Sequence, residues 1–473
     1  MDVRSLAQSL SAIPSAARSR RARRDQIPSS VWKSLDRTSV LEGDHSHDGC
    51  VNALSWIDPN TLASSGDDCR VNFWRLQDSG SSYDFNCVSV IHTGHSANIF
   101  NVKLLPSSSS TLVTCARDGQ VRVFDASRAR GLDAATASSE RGSRGIRDRG
   151  PLYLTPQEAN AKVFRCHNSD VKRIVTMDAP DIFMSVSEDG TVRQFDLRRP
   201  HKCGGDGCDN SIIEMNFSLN ALTTSPLCPQ YLIVAGESPF GYLFDRRFLR
   251  GGTSTRGTAL NTPLIVTECV ARYGRNSRSQ GERAGSEHIT GARLSKENGE
   301  ELLLSYHADA VYRYGLHDDP TRPNNDGAPR EPRQKRRRVS VDMSDDESEN
   351  ENTDQGDNED EEEEEVDVTM NVDAEEEASD GTNELIGESD DYVGPVVMPR
   401  TRYLGAGNIA TVKDVNFIGQ HDEYVVSGSD DGHWFMWNKS GSLEGVWEGD
   451  GSVGSYLCFP IALRSRALSS QCN

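Results

Sequence analysis

Ser185-Val186-Ser187-Glu188-Asp189-Gly190-Thr191-Val192-Arg193-Gln194-Phe195-Asp196 decides the fold, because its offsets recur along the chain. Asp68 stands six residues before Trp74, Asp118 before Phe124, Asp189 before Phe195, and Asp431 before Trp437. A Ser or Thr lies four residues ahead of each Asp: Ser64, Thr114, Ser185 and Ser427. Each copy reads as a tight turn followed by a strand of alternating β-branched and aromatic residues. Units that repeat with fixed offsets must stack on one another to bury their apolar faces, so the repeat outranks any local propensity.

The pattern resembles the WD repeat, in which each unit supplies one four-stranded blade of a β-propeller. The fold class expected is therefore all-β. In WD repeats a His at the blade entrance, the Ser or Thr, the turn Asp and the closing Trp form a hydrogen-bonded tetrad. The resemblance assigns His47, Ser64, Asp68 and Trp74 to blade one. It assigns His95, Thr114 and Asp118 to blade two, and His167, Ser185 and Asp189 to blade three. Phe124 and Phe195 stand in the Trp place there, and Phe has no N–H to donate. Ser427, Asp431 and Trp437 are the corresponding residues of blade six, where Gly405-Ala406-Gly407 stands in place of an entrance His. These groups are read as architecture rather than catalysis.

The expected organisation is a basic N-terminal arm (1–44), blades one to five (45–316) with a disordered insert at 128–150, a disordered basic and acidic insert (317–402), blade six (403–453) and an atypical tail (454–473). Blade four is placed at 211–247, with Ser238 where the turn Asp would stand, and 249–287 is read as a long polar loop.

A second pattern lies over the first. Phe195-Asp196-Leu197-Arg198 and Phe244-Asp245-Arg246-Arg247 each read aromatic-Asp-x-Arg just past the third strand of a blade. Arginine suits a protein interface, since its planar guanidinium makes bidentate bonds and is weakly hydrated. An ordinary strand-end ion pair explains the same residues. The boxes resemble those with which propellers dock on the adaptor of cullin-4 ubiquitin ligases. Together with Asp48-Gly49-Cys50-Val51-Asn52-Ala53-Leu54, Ala97-Asn98-Ile99-Phe100 and Val426-Ser427-Gly428-Ser429-Asp430-Asp431-Gly432-His433, the chain is similar to the DDB- and cullin-4-associated factor family. That resemblance implies a seven-bladed propeller, adaptor docking through Phe195, Asp196, Arg198, Phe244, Asp245 and Arg247, and a substrate-presenting surface elsewhere. The chain departs from it after Val453, where six blades are recognisable and the seventh repeat is missing or altered.

The formal net charge of −21 comes from one block. Residues 340–391 hold 25 of the 72 acidic residues and no Lys or Arg, and the remainder carries 51 basic against 47 acidic residues. Such a block repels itself and buries too little apolar area to offset its ordering entropy. Binding of histones or other basic proteins and a plain solubilising spacer are both open for it. Lys335, Arg336, Arg337 and Arg338 read as a nuclear localisation signal in preference to a solvated run, which places the protein in the nucleus and also leaves the cytoplasm open. The Arg18–Arg24 cluster is open to the same reading, to a nucleic-acid-binding arm, or to a solvated arm.

No apolar run approaches the 18 or so residues of a membrane span, and the N-terminus shows no signal-peptide core. The eleven cysteines read as reduced thiols. His201, Cys203 and Cys208 come nearest to a metal cluster, but their surroundings are Gly-rich and no second Cys-x-x-Cys is present, so a loop between blades is expected, with no metal and no cofactor. Without a phosphate loop, a His-Glu-x-x-His or a Gly-x-Ser-x-Gly, an enzyme with a small-molecule substrate is not expected. The leading function is a substrate receptor of a cullin-4 ligase, and the alternative is a histone- or chromatin-binding scaffold.

Overall fold

Phe183 and Met184 are neighbours in sequence and pack into different clusters, and the architecture follows from that alternation. Side chains of a strand point to opposite faces in turn. Phe183 packs with Val113, Val123 and Phe195, whereas Met184 packs with Leu232, Val234 and Phe244. A strand covered on both faces reads as a continuous apolar run, as Ile182–Ser187 and Glu301–Tyr306 do.

The computed structural model describes residues 40–78, 83–131, 150–249, 269–275, 287–320 and 394–449, except 42, 107, 109, 202, 204–207, 209, 410, 411 and 420. Among them there is no helix, and the strands form six four-stranded antiparallel blades of a β-propeller. Blade one is β1 (Val51–Asp58), β2 (Thr61–Gly66), β3 (Arg70–Asp78) and β4 (Tyr83–His92). Blade two is β5 (Ile99–Leu104), β6 (Thr111–Ala116), β7 (Val121–Asp125) and β9 (Lys162–Phe164). Blade three is β10 (Val171–Thr176), β11 (Ile182–Ser187), β12 (Thr191–Asp196) and β13 (Ser211–Glu214). Blade four is β14 (Leu219–Ser225), β15 (Cys228–Gly236), β16 (Gly241–Asp245) and β17 (Ala271–Tyr273). Blade five is β18 (Ile289–Leu294), β19 (Glu301–Tyr306), β20 (Val311–Gly315) and β22 (Thr401–Tyr403). Blade six is β23 (Val415–Ile418), β24 (Tyr424–Gly428), β25 (His433–Asn438) and β26 (Leu443–Glu448).

The first strands β1, β5, β10, β14, β18 and β23 pack against one another in that order, and one hydrophobic cluster fills each of the five seams between successive blades. A sixth cluster, Ile418, Val426 and Met436 with Tyr424, Trp434 and Trp447, lies on the face of blade six turned away from blade five. Its two indoles stack at 4.4 Å.

Several expected boundaries shift. Ser211–Glu214 closes blade three instead of opening blade four. The stretch read as a polar loop at 249–287 contains β17. Residues 394–402, read as part of the insert, carry β21 (Val396–Val397), which pairs in parallel with β17, and most of β22. At the start of the 128–150 insert, Ala129 is buried, its carbonyl accepts from Ser89, and Arg130 pairs with Asp58 at 3.1 Å. After the insert, β8 (Leu152–Leu154) adds to blade one in parallel with β4. Short strands of this kind carry no period of their own, so tertiary pairing decides them. Residues 132–149, the arm up to 39, the tail 454–473 and the question of a seventh blade lie outside the described residues.

Candidate functional site

The turn Asp is built into the fold through bonds that the repeat spacing makes possible. In blade one His47 Nδ1 bonds Asp68 at 2.9 Å and its Nε2 bonds Ser64 Oγ at 2.7 Å, while Trp74 Nε1 donates to the same Oγ at 2.7 Å. In blade two His95 links Asp118 at 3.0 Å and Thr114 at 2.8 Å. In blade three His167 links Asp189 at 3.0 Å and Ser185 at 2.6 Å. Burial alone would raise the carboxyl of Asp68, but bonds from His47 and from the backbone of Arg70 and Asp48 outweigh it and hold it at about 2. The same balance holds Asp189 well below the usual carboxylate range. The imidazoles of His95 and His167 are pushed down by burial despite their Asp partners. A buried His–Asp pair of this kind, with both ring nitrogens engaged, stabilises the blade.

Blade six differs from the expectation. Trp437 Nε1 donates to Leu404 O at 3.1 Å instead of to Ser427, and Ser427 Oγ donates to Gly428 O at 3.0 Å. The Asp431 side chain is 56 % exposed; it takes bonds from the Ser429 side chain and the His433 N–H and lies 3.3 Å from the His433 ring. The preceding Asp430 takes the partner, Lys413, at 2.9 Å. The physical reason is the missing entrance His: without an imidazole between them, Ser427 and Asp431 have no bridge. Blade five holds a lock that the repeat did not reveal. Asp309, with its side chain 1 % exposed, pairs with Arg275 and Arg402 and accepts from Tyr312 OH at 2.8 Å. Its only sequence signal was its place two residues before β20.

The two aromatic-Asp-x-Arg boxes stand on the opposite rim. β10 and β12 both run antiparallel to β11, so β12 starts beside the Asp189 turn and ends at the other edge. There Arg198 folds back on Asp196, donating from Nε and Nη2 at 2.8 Å each, yet its side chain stays 62 % exposed. Those bonds hold Asp196 at about 2. Arg247 forks onto Asp245 in the same way, with Nε at 3.0 Å and a side chain 66 % exposed, and it lowers that carboxyl too. Phe195 and Phe244 are buried beneath and anchor the strand ends. The boxes are tied together by Arg246, which donates to Gln194 on β12 at 2.7 Å. Beside the second box runs a groove of about 490 Å³ lined by Gln194, Ile212, Gln230, Arg246, Arg247 and Leu249, among others. The exposed ring of Phe248 stands beside Arg247. The structure thus presents two pre-formed guanidinium forks on adjacent blades.

His201, Cys203 and Cys208 do not sit in a plain loop. They converge with Cys166, 35 positions before His201, which no ligand spacing pointed to. Lys335, Arg336, Arg337 and Arg338, the Arg18–Arg24 cluster and the acidic tract lie outside the described residues.

Comparison with known proteins places these features. The WD domain, G-beta repeat family matches residues 38–75 and 85–125. The WD repeat protein iqw1 of Schizosaccharomyces pombe is 31 % identical over 307 residues, covering 63 % of this chain and 35 % of that protein. The Arabidopsis thaliana protein ALTERED SEED GERMINATION 2 is 31 % identical over 311 residues, covering 61 % and 36 %. The human DDB1- and CUL4-associated factor 6 is 28 % identical over 304 residues, covering 62 % and 30 %. The matched region spans about a third of the length of these relatives. With its blades described, the chain carries WD repeats and is similar to DDB1- and CUL4-associated factor 6.

Proposed function

We propose that this protein is a non-enzymatic substrate receptor of a cullin-4 RING ubiquitin ligase, docking on its adaptor through Arg198 and Arg247. The observation that carries the reading is the pair of exposed Arg–Asp forks on the same rim of blades three and four. Each guanidinium is held in plane by its own carboxylate, so it enters an interface with little rotamer entropy left to lose. Phe195, Asp196, Phe244 and Asp245 act by positioning the arginines. The similarity to a DDB1- and CUL4-associated factor supports the same partner. Substrate proteins would be presented from surface away from this rim.

The test is a pull-down of the tagged chain beside the Arg198→Ala, Arg247→Ala double variant, probed for the adaptor. Recovery by the parent and at least about a tenfold loss in the variant is expected, since two interface arginines of 1–2 kcal/mol each amount to that or more. Equal recovery by a folded variant would overturn docking through the forks. A second reading, a nuclear histone- or chromatin-binding scaffold without ligase, is favoured by the acidic block at 340–391 and the basic run before it. On that reading deletion of 340–391, not the Arg pair, removes the partners.

A further inference from the structure

We propose that Cys166, His201, Cys203 and Cys208 form a structural zinc site that staples blade two to blade three. One ligand atom from each lies within 4.8 Å of the other three. Cys166 Sγ is 3.0 Å from His201 Nε2 and 3.4 Å from Cys203 Sγ. A tetrahedral zinc with bonds of about 2.3 Å to sulfur and 2.0 Å to nitrogen separates its ligand atoms by roughly 3.5–3.8 Å. The four side chains are therefore gathered at nearly the size of the coordination shell. Three soft sulfurs and one imidazole in a closed set select zinc over harder cations. Four protein ligands leave no open position for a substrate, which makes the site structural.

The surroundings fit a thiolate cluster. The backbone N–H of Arg165 points at Cys203 Sγ at 3.3 Å, the kind of bond that stabilises a metal-bound thiolate. Arg193, which donates to the Cys208 carbonyl and to Asn210, supplies positive charge beside it. Three thiolates and one zinc carry a net single negative charge, which that guanidinium offsets. The His201 ring is set edge-on against Phe164 at 5.3 Å, and Phe164 against Phe195 at 5.1 Å, which limits how the imidazole can turn. Metal binding forms three Zn–S bonds and one Zn–N bond and releases the thiol protons to solvent; no oxidant or reductant is consumed.

The placement gives the site a purpose. Cys166 follows β9, the outer strand of blade two, and directly precedes His167 of the blade-three lock. His201, Cys203 and Cys208 lie in the connection from β12 to β13, three to ten residues past Arg198. That connection has little apolar sequence of its own, so one metal would anchor it through His201, Cys203 and Cys208. The inference does not depend on adaptor docking.

The test uses the full chain purified without chelator, with metal content measured by mass spectrometry. About one zinc per chain is expected. The Cys203→Ser, Cys208→Ser variant should retain less than about a tenth of that, while Cys228→Ser, a thiol on blade four, keeps it. Should the double variant fold poorly, cobalt added to chelator-treated parent gives the second readout. The thiolate-to-cobalt charge-transfer bands of a tetrahedral three-sulfur site are expected, with an upward shift of the thermal midpoint. A folded, reduced parent that holds no zinc and takes up neither zinc nor cobalt would overturn the proposal. So would a Cys166–Cys203 disulfide in the freshly purified protein.

Discussion

Blades three and six carry the same written signature and use it differently. Asp189-Gly190 and Asp431-Gly432 both make the same turn: the glycines sit at φ of +80° and +81°, and the carboxylate accepts the N–H two residues on at 3.0 Å in each. Beyond the turn they part. The Asp189 side chain is 8 % exposed and bonded to His167, whereas that of Asp431 is 56 % exposed. The local part of the motif is satisfied by three or four consecutive residues. The buried network needs a partner from outside the hairpin, and only blade three has one in His167. Blade five shows a third solution, with Asp309 at the same place before its strand but clasped by arginines. Position in the repeat sets where the carboxylate goes, and the partner sets what it is worth.

The comparison is broken most severely at blade five. Asp309→Ala takes a buried carboxylate partner from Arg402 and from Arg275, whose side chain is 4 % exposed. Removing one member of a buried pair typically costs roughly 3–5 kcal/mol. The expected outcome is a chain with a sharply lowered thermal midpoint or little soluble yield. Tyr306, whose ring lies 4.5 Å from the same guanidinium, loses a fixed neighbour as well. A midpoint indistinguishable from the parent would mean that the arginines are solvated and that blade five has no lock.

Asp189→Ala comes next. It takes the carboxylate from His167 Nδ1, which keeps the Thr191 hydroxyl at 3.2 Å, and from the N–H groups of Asn168 and Thr191. A buried group left without its partner costs about 1–3 kcal/mol, and here water reaches part of the turn, which sets the expectation below that for Asp309. Thermal melts of the two variants side by side give the ranking, and adaptor recovery should be unchanged because the forks lie on the other rim. Unaltered stability would remove the claim that the His–Asp pair carries blade three.

What could be read in the chain divides along the same line. The β-propeller and the turns of blades one to three were legible because Asp, Gly and the closing aromatic act within one hairpin. So was the strand-end pairing of Asp196 with Arg198 and of Asp245 with Arg247, two residues apart in sequence. The partners of Asp309 are 34 and 93 residues away, and neither spacing announces a contact. Cys166 is hidden from His201 for the same reason, since the seam between two blades brings them together. Blade six misled because Asp430 and Asp431 are adjacent and the repeat offset chose the second; burial of Lys413 chose the first. The parallel additions of β8 and β21 are too short to have a period.

Asp431→Ala is the smallest effect expected and the sharpest check on the comparison. The variant keeps Gly432, the Lys413–Asp430 pair and the Trp437 bond to Leu404. It loses the acceptor for the His433 N–H and for the Ser429 side chain, at a turn open to water that can replace it. Substitutions at such exposed positions usually fall within about 0.5 kcal/mol. If Asp431→Ala instead lowers the thermal midpoint as far as Asp189→Ala does, the turn itself, not the His-centred network, carries the stability in both blades, and the distinction drawn between them fails.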